Sequence, residues 1–154
     1  MTAIGQHAAD LIRATIDNIN RGGGPFGALM VLPTGETVTA FNSVTASPDP
    51  TGHAEINAIR ATATRLNTHD LSGLTLLTTG EPCPMCLTAC LWARLDRVLY
   101  INPLEDARLA GFDDTHFYNQ IRSGITDLHY DHYSHDDGSS IYEAWEGKAD
   151  RIEY

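Results

Sequence analysis

Lysine is nearly missing from this sequence. Lys148 is the only one, and ten basic residues stand against twenty acidic ones, for a formal net charge of −10. A protein that grips RNA or DNA takes most of its non-specific affinity from Lys and Arg on phosphate, and no such basic footprint is present. Nucleic acid is therefore not the expected partner. Cysteine is scarce and odd in number, three in 154 residues. That argues against a disulfide framework and fits a reducing compartment. No apolar run reaches the roughly 18 residues that a membrane-crossing helix needs. No charged start leads into an apolar stretch of the signal-peptide kind. Internal repeats, low-complexity segments and linkers are lacking too. The expectation is one cytoplasmic domain over 1–154, large enough to bury a core, with no membrane partner.

What is present alternates between helix and strand patterns. Ala8, Leu11, Ile12, Thr15, Ile16 and Ile19 recur at helical spacing within a helix from about Thr2 to Arg21, which Gly22-Gly23-Gly24-Pro25 ends. Phe26 to Leu32 and Thr37 to Phe41 read as a hairpin across the turn Pro33-Thr34-Gly35-Glu36. Asn42 to Gly52 is a loop. A helix from His53 to Leu66 follows, with Asp49 and Thr51 as capping candidates. Then come a strand at Thr75 to Thr79, a helix from Pro84 to about Ala93, a strand at Arg97 to Ile101 and a short helix at Leu104 to Ala110. A helix at Thr115 to Ser123 has Asp114 as a candidate N-cap. Residues 139–154 form a final helix, about Ile141 to Lys148, and a tail. Short connections between alternating elements imply a sheet with helices on its faces.

Chemistry concentrates in His53-Ala54-Glu55 and Pro82-Cys83-Pro84-Met85-Cys86. His53, Cys83 and Cys86 fill three positions of a tetrahedral zinc, and an open fourth position separates a catalytic zinc from a structural one. Both motifs fall at helix starts. Unpaired backbone N–H groups there favour negative charge and keep thiols ionised. Pro84 suits a first helical position. The competing reading of Cys83 and Cys86 is a redox pair. Cys90 reads as a small buried apolar residue. His129, His132 and His135 suggest a metal site, but in a strand His132 would face away from the other two, so a solvated strand or loop is expected.

Together, a His-x-Glu and a later Pro-Cys-x-x-Cys are the signature of zinc nucleobase deaminases, in which the Glu is the acid/base and not a ligand. The chain resembles the cytidine-deaminase-like superfamily and, within it, the bacterial guanine deaminases. The resemblance rests also on Pro25-Phe26-Gly27-Ala28, Asn42, Asp49-Pro50-Thr51, Trp92-Ala93-Arg94, Gly111-Phe112-Asp113-Asp114 and Glu153-Tyr154. It implies a three-layer α/β/α fold with a central mixed sheet and helices on both faces. It implies Zn²⁺ as cofactor and hydrolysis of guanine to xanthine and ammonia. Glu55 would be the proton carrier, and Asp114 a second acid/base or substrate-holding group. Asn42, Phe26, Ala54, Trp92 and Tyr154 would bind the small-molecule base. Asn42 and Asp114 each also have a purely local reading, as a turn residue and as a helix cap. The resemblance further implies a homodimer whose C-terminal segment is exchanged, with Tyr154 covering the pocket. Other substrates remain open: guanosine, cytosine, ammeline, or adenosine in tRNA. So does a zinc scaffold without catalysis, although a scaffold has no use for Glu55.

Overall fold

The computed structural model describes residues 3–124 and 128–152. Its elements run α1 (Ala3–Asn20), β1 (Gly27–Val31), β2 (Thr37–Phe41), α2 (Ala54–Leu66), β3 (Thr75–Gly80), α3 (Pro84–Trp92), β4 (Arg97–Asn102), α4 (Leu104–Leu109), α5 (Thr115–Ser123) and α6 (Ser140–Glu146). The four strands form one mixed sheet in the order β2-β1-β3-β4. The hairpin β1/β2 pairs Gly27 with Phe41 and Val31 with Thr37. β1 also runs antiparallel to β3, whereas β3 and β4 are parallel. A parallel pair needs a crossover, and α3 provides it.

Strand residues alternate between the two faces. Leu29, Val31, Leu77, Leu99 and Ile101 pack beneath α1 with Ala8 and Leu11. Ala28, Met30, Leu76 and Val98 point the other way, against Ala54 and Ala58 of α2 and Cys90 of α3. The sheet is thus covered on both faces, in three layers. Full burial of side chains such as Leu11, Met30 and Leu76 contributes about 1.5–3 kcal/mol each. α1 lies close to β1 because residue 27 is glycine. A Cβ there would stand less than 2.5 Å from the Thr15 hydroxyl. The apolar stripe of α1 is wider than the sheet covers, leaving Ile12, Ile16 and Ile19 part exposed.

Two expected caps are not made. The N-cap position of α2 is His53, with no side-chain cap bond. The Asp49 carboxylate instead accepts from the Thr51 amide at 2.8 Å and the Thr51 hydroxyl at 2.7 Å, forming a turn ahead of the helix. Asp114 occupies the N-cap position of α5, yet its carboxylate makes no cap bond. Asp113 takes that structural part, accepting from the Thr115 amide at 3.0 Å. In both cases the side chain nearest the helix end faces a cavity and a neighbour serves the backbone. Residues 129–135 form neither helix nor strand, and all are exposed. Among the described residues no helix is long and apolar enough to cross a membrane.

Candidate active site

The parallel strand β3 ends at Gly80 and leads through Glu81-Pro82 to the start of α3. The loop after β2 leads to the start of α2. The two helix N-termini meet at the carboxyl end of β3, where open α/β sheets bind ligands. His53 stands at the N-cap of α2 and Cys83 at the N-cap of α3, both with extended backbone. Cys86 lies in the first turn of α3. The His53 Nδ1 is 3.6 Å from the Cys83 sulfur and 3.5 Å from the Cys86 sulfur. A tetrahedral zinc with Zn–S of about 2.3 Å and Zn–N of about 2.0 Å places N and S about 3.5 Å apart. Both nitrogen–sulfur separations therefore already match the edge of a zinc tetrahedron, and the three donor atoms, all within 4.8 Å of one another, form one candidate metal group among the described residues. Cys90, 3% exposed, belongs to the core and not to this group. Burial pushes its thiol up to about 11.

Electrostatics suit a cation. The Cys83 thiol is pushed down to about 4, first by hydrogen bonding from Cys86 and then, against the opposing effect of burial, by His53. Cys86 goes the opposite way, because it keeps the proton that the two sulfurs share. A cation replaces that proton and lets both bind as thiolates. Glu55, in the first turn of α2, is 8% exposed. Loss of hydration pushes its carboxyl above the usual range. Asp114 is raised as well, by burial first and by the Cys83 charge second.

His53, Cys83, Glu55 and Asp114 share one cavity of about 290 Å³. Its walls include Phe26, Asn42, His53, Glu55, Cys83 and Asp114, together with Val44, Thr45, Glu81 and Phe112. The Asn42 side-chain oxygen accepts from the Val44 amide at 3.1 Å. The local turn role is thus real, and it leaves the amide NH₂ for other partners. Phe112 meets Phe26 edge-on, with centroids 4.9 Å apart.

Three expectations fare differently. Trp92 does not line this cavity. It borders an adjoining groove that His53, Cys83 and Asp114 also line, stands there with Ala89 and Phe117, and is 63% exposed at the C-terminal end of α3. Ala54 is 1% exposed and its methyl group packs in the core, so only its main chain is left for a substrate. Tyr154 lies outside the described residues. Phe112 stood in the Gly111-Phe112-Asp113-Asp114 stretch without a role and Glu81 directly precedes the Pro82 motif, and neither has a periodicity that would mark it as a wall. Glu81 also caps α4, accepting from the Leu104 amide at 2.9 Å.

Comparisons with known proteins agree with this geometry. The cytidine and deoxycytidylate deaminase zinc-binding region matches residues 6–102. Guanine deaminase of Bacillus subtilis (strain 168) is 39% identical over 141 residues, 90% of each chain. A tRNA-specific adenosine deaminase of Aquifex aeolicus is 44% identical, over 49% of this chain and 50% of its own. The X-ray structure of the Bacillus subtilis guanine deaminase superposes with a TM-score of 0.88 at 37% identity, covering 95% of both chains. That of a guanine deaminase from Nitrosomonas europaea gives 0.65 at 29% identity, over 69% of this chain and 62% of that one.

Proposed function

Since the chain belongs to the cytidine and deoxycytidylate deaminase zinc-binding family and is a hydrolytic deaminase, we propose that its substrate is guanine, which it converts with water to xanthine and ammonia. The observation that carries the choice is likeness beyond the zinc region. It extends over 90% of the chain to a guanine deaminase, but over only 49% to a tRNA-specific adenosine deaminase. The net charge of −10 also suits a small base better than a polyanion.

A zinc ion held by His53, Cys83 and Cys86 supplies the Lewis acidity that makes water nucleophilic near neutral pH. Glu55, buried beside the ligands, takes the proton that the attacking water gives up. It delivers that proton to a ring nitrogen, takes the second proton of the former water once its oxygen is bonded to C2, and delivers this one to the departing amine. Both transfers ask for a carboxyl whose acid form is accessible near neutrality, and burial moves Glu55 that way. Asn42, its oxygen already engaged, donates from its NH₂ to acceptors on the base edge. The Phe26 ring offers a flat wall. Asp114, free of capping duty, accepts from the substrate's N–H groups or exchanges a proton with them.

The single domain spans 1–154 and works in the cytoplasm as a homodimer that exchanges residues 139–154. Every described residue from 121 to 152 is exposed, including Tyr130, Tyr133, Ile141, Tyr142 and Ile152. So much apolar surface on one segment fits a partner chain better than water. Tyr154 of the neighbouring copy would then cover the base.

The test is ammonia release from guanine, guanosine, cytosine, adenine and ammeline, with inosine scored in tRNA. Guanine is expected to give the highest kcat/KM. Inosine in tRNA without xanthine from guanine would replace this reading.

A further inference from the structure

Phe26 sits between Pro25 and Gly27, at the point where the β1/β3 ladder stops. The last paired residues are Ala28 and Thr78. One residue further on, a side chain takes over from the backbone. The Thr79 hydroxyl accepts from the Gly27 amide at 3.0 Å and donates to the Pro25 carbonyl at 3.2 Å. A single buried oxygen thus holds the peptide on each side of Phe26. Thr79 is 6% exposed, and its own carbonyl accepts from the Asn102 side chain at 2.6 Å, which ties the clamp to β4. The carbonyl of Phe26 in turn accepts from the Asn42 amide at 3.1 Å. Both Phe26 and Asn42, two walls of the cavity, therefore hang on this hydroxyl.

Packing agrees. Gly80 lies beside the Phe26 ring, at a distance where a Cβ would make ordinary van der Waals contact with it at 3.4 Å. Phe112 holds the ring from its edge. Ring and chain are fixed from different sides, and Thr79 holds the two peptides that flank Phe26 through side-chain hydrogen bonds.

We propose that Thr79 is a positioning residue for substrate binding, acting through Phe26 and the adjoining Asn42 rather than by touching the base. The inference rests on the reading of this cavity as the base site. A threonine at a strand end is otherwise only a β-former. Here its two opposite hydrogen-bonding roles are both used, and a valine of the same shape offers neither.

The test is a set of variants scored by KM and kcat for guanine, by calorimetric binding of the product xanthine, and by zinc content. Thr79→Val is expected to raise KM and weaken xanthine binding about tenfold, the loss anticipated when two hydrogen bonds are given up, with zinc and kcat close to wild type. Thr79→Ser keeps the hydroxyl and restores both constants. Phe26→Leu raises KM by itself, and adding Thr79→Val to it raises KM by clearly less than the product of the two single effects, because part of the Thr79 effect runs through the Phe26 ring. A lowered melting temperature with unchanged KM and xanthine binding would make Thr79 a fold residue and overturn the proposal. Additive effects of Thr79→Val and Phe26→Leu would overturn it as well. If Phe26→Leu leaves KM at the wild-type value, the cavity reading itself falls. Should Thr79→Val lose zinc and helical dichroism, Thr79→Ala removes the same oxygen without a methyl group in its place. Unfolding of both would also overturn the proposal.

Discussion

Glu55 is buried apart from the small part of it that lines the cavity, and that decides what it can do. A carboxylate at the start of a helix is usually an exposed anion facing unpaired amides. At 8% exposure the same group is pushed towards its acid form, the state a proton carrier must visit in each cycle. Glu55→Gln fills the same space, cannot exchange a proton and is not a metal ligand. Zinc content should stay at one per chain by metal analysis, and kcat should fall by about a hundredfold or more. Cys83→Ala separates the two functions from the other side. With one of three donors gone, zinc content and turnover should fall together, and full zinc occupancy in this variant would remove Cys83 from the metal site.

At the scale of elements, the loop from Asn42 to His53 needs an anchor, since it carries one cavity wall at its start and a ligand at its end. Asn57 provides it from the second turn of α2. Its side-chain NH₂ donates to the Phe41 carbonyl at 2.9 Å and the Ser43 hydroxyl at 3.0 Å, and lies 3.3 Å from the Gly52 carbonyl. Asn57→Ala strands these acceptors and should cost about 1–3 kcal/mol of stability in denaturant melts. Asp49 adds a pH-dependent part. Hydrogen bonds from the Thr51 hydroxyl and amide hold its carboxyl below the ordinary value, with Arg60 assisting. A depressed acid stabilises the fold above its unfolded pKa of about 4, and the contribution is lost as pH falls through the lowered value. Melting temperatures of wild type and Asp49→Ala should therefore differ at pH 7 and converge in acid. The sequence announced where these elements begin and end, because Pro25, Pro84 and the glycines at 22–24 punctuate it. It did not announce the anchors. Asn57 in a helix and Thr79 in a strand look like ordinary surface formers until the loops they hold are in place. The cap bonds expected of Asp49, Thr51 and Asp114 are not made for a related reason: residue type predicts a capping bond, but Asp49 and Thr51 bond each other ahead of α2 and the Asp114 side chain lines the cavity.

For the molecule as a whole, the zinc ligands and the three-layer sheet were legible in one chain because both are made within it. Trp92 lines the groove beside the cavity and not the cavity itself, because an aromatic near a metal motif carries no sign of which end of its helix it closes. The far end of the chain is different again. α5 and α6 contribute no buried residue, and the Ile141, Tyr142 and Ile152 side chains lie in solvent, so the meaning of that segment depends on what a second copy does with it. A closing segment affects binding and turnover while sparing the metal. Removing Asp150-Arg151-Ile152-Glu153-Tyr154 should leave zinc and helical content intact and lower kcat/KM for guanine. Exchange between subunits makes a sharper prediction. A tail-less chain has a working Glu55 but nothing to cover its neighbour, while a Glu55→Gln chain has a tail but no proton carrier. In a mixed dimer the site of the tail-less chain receives the intact tail of the other, and both parts are present. Random pairing of equal amounts places about a quarter of all sites in that condition, so activity should rise well above that of either variant alone when they are unfolded and refolded together. A truncated enzyme as active as the full chain would refute the cover. Mixtures without rescue would assign each tail to its own subunit.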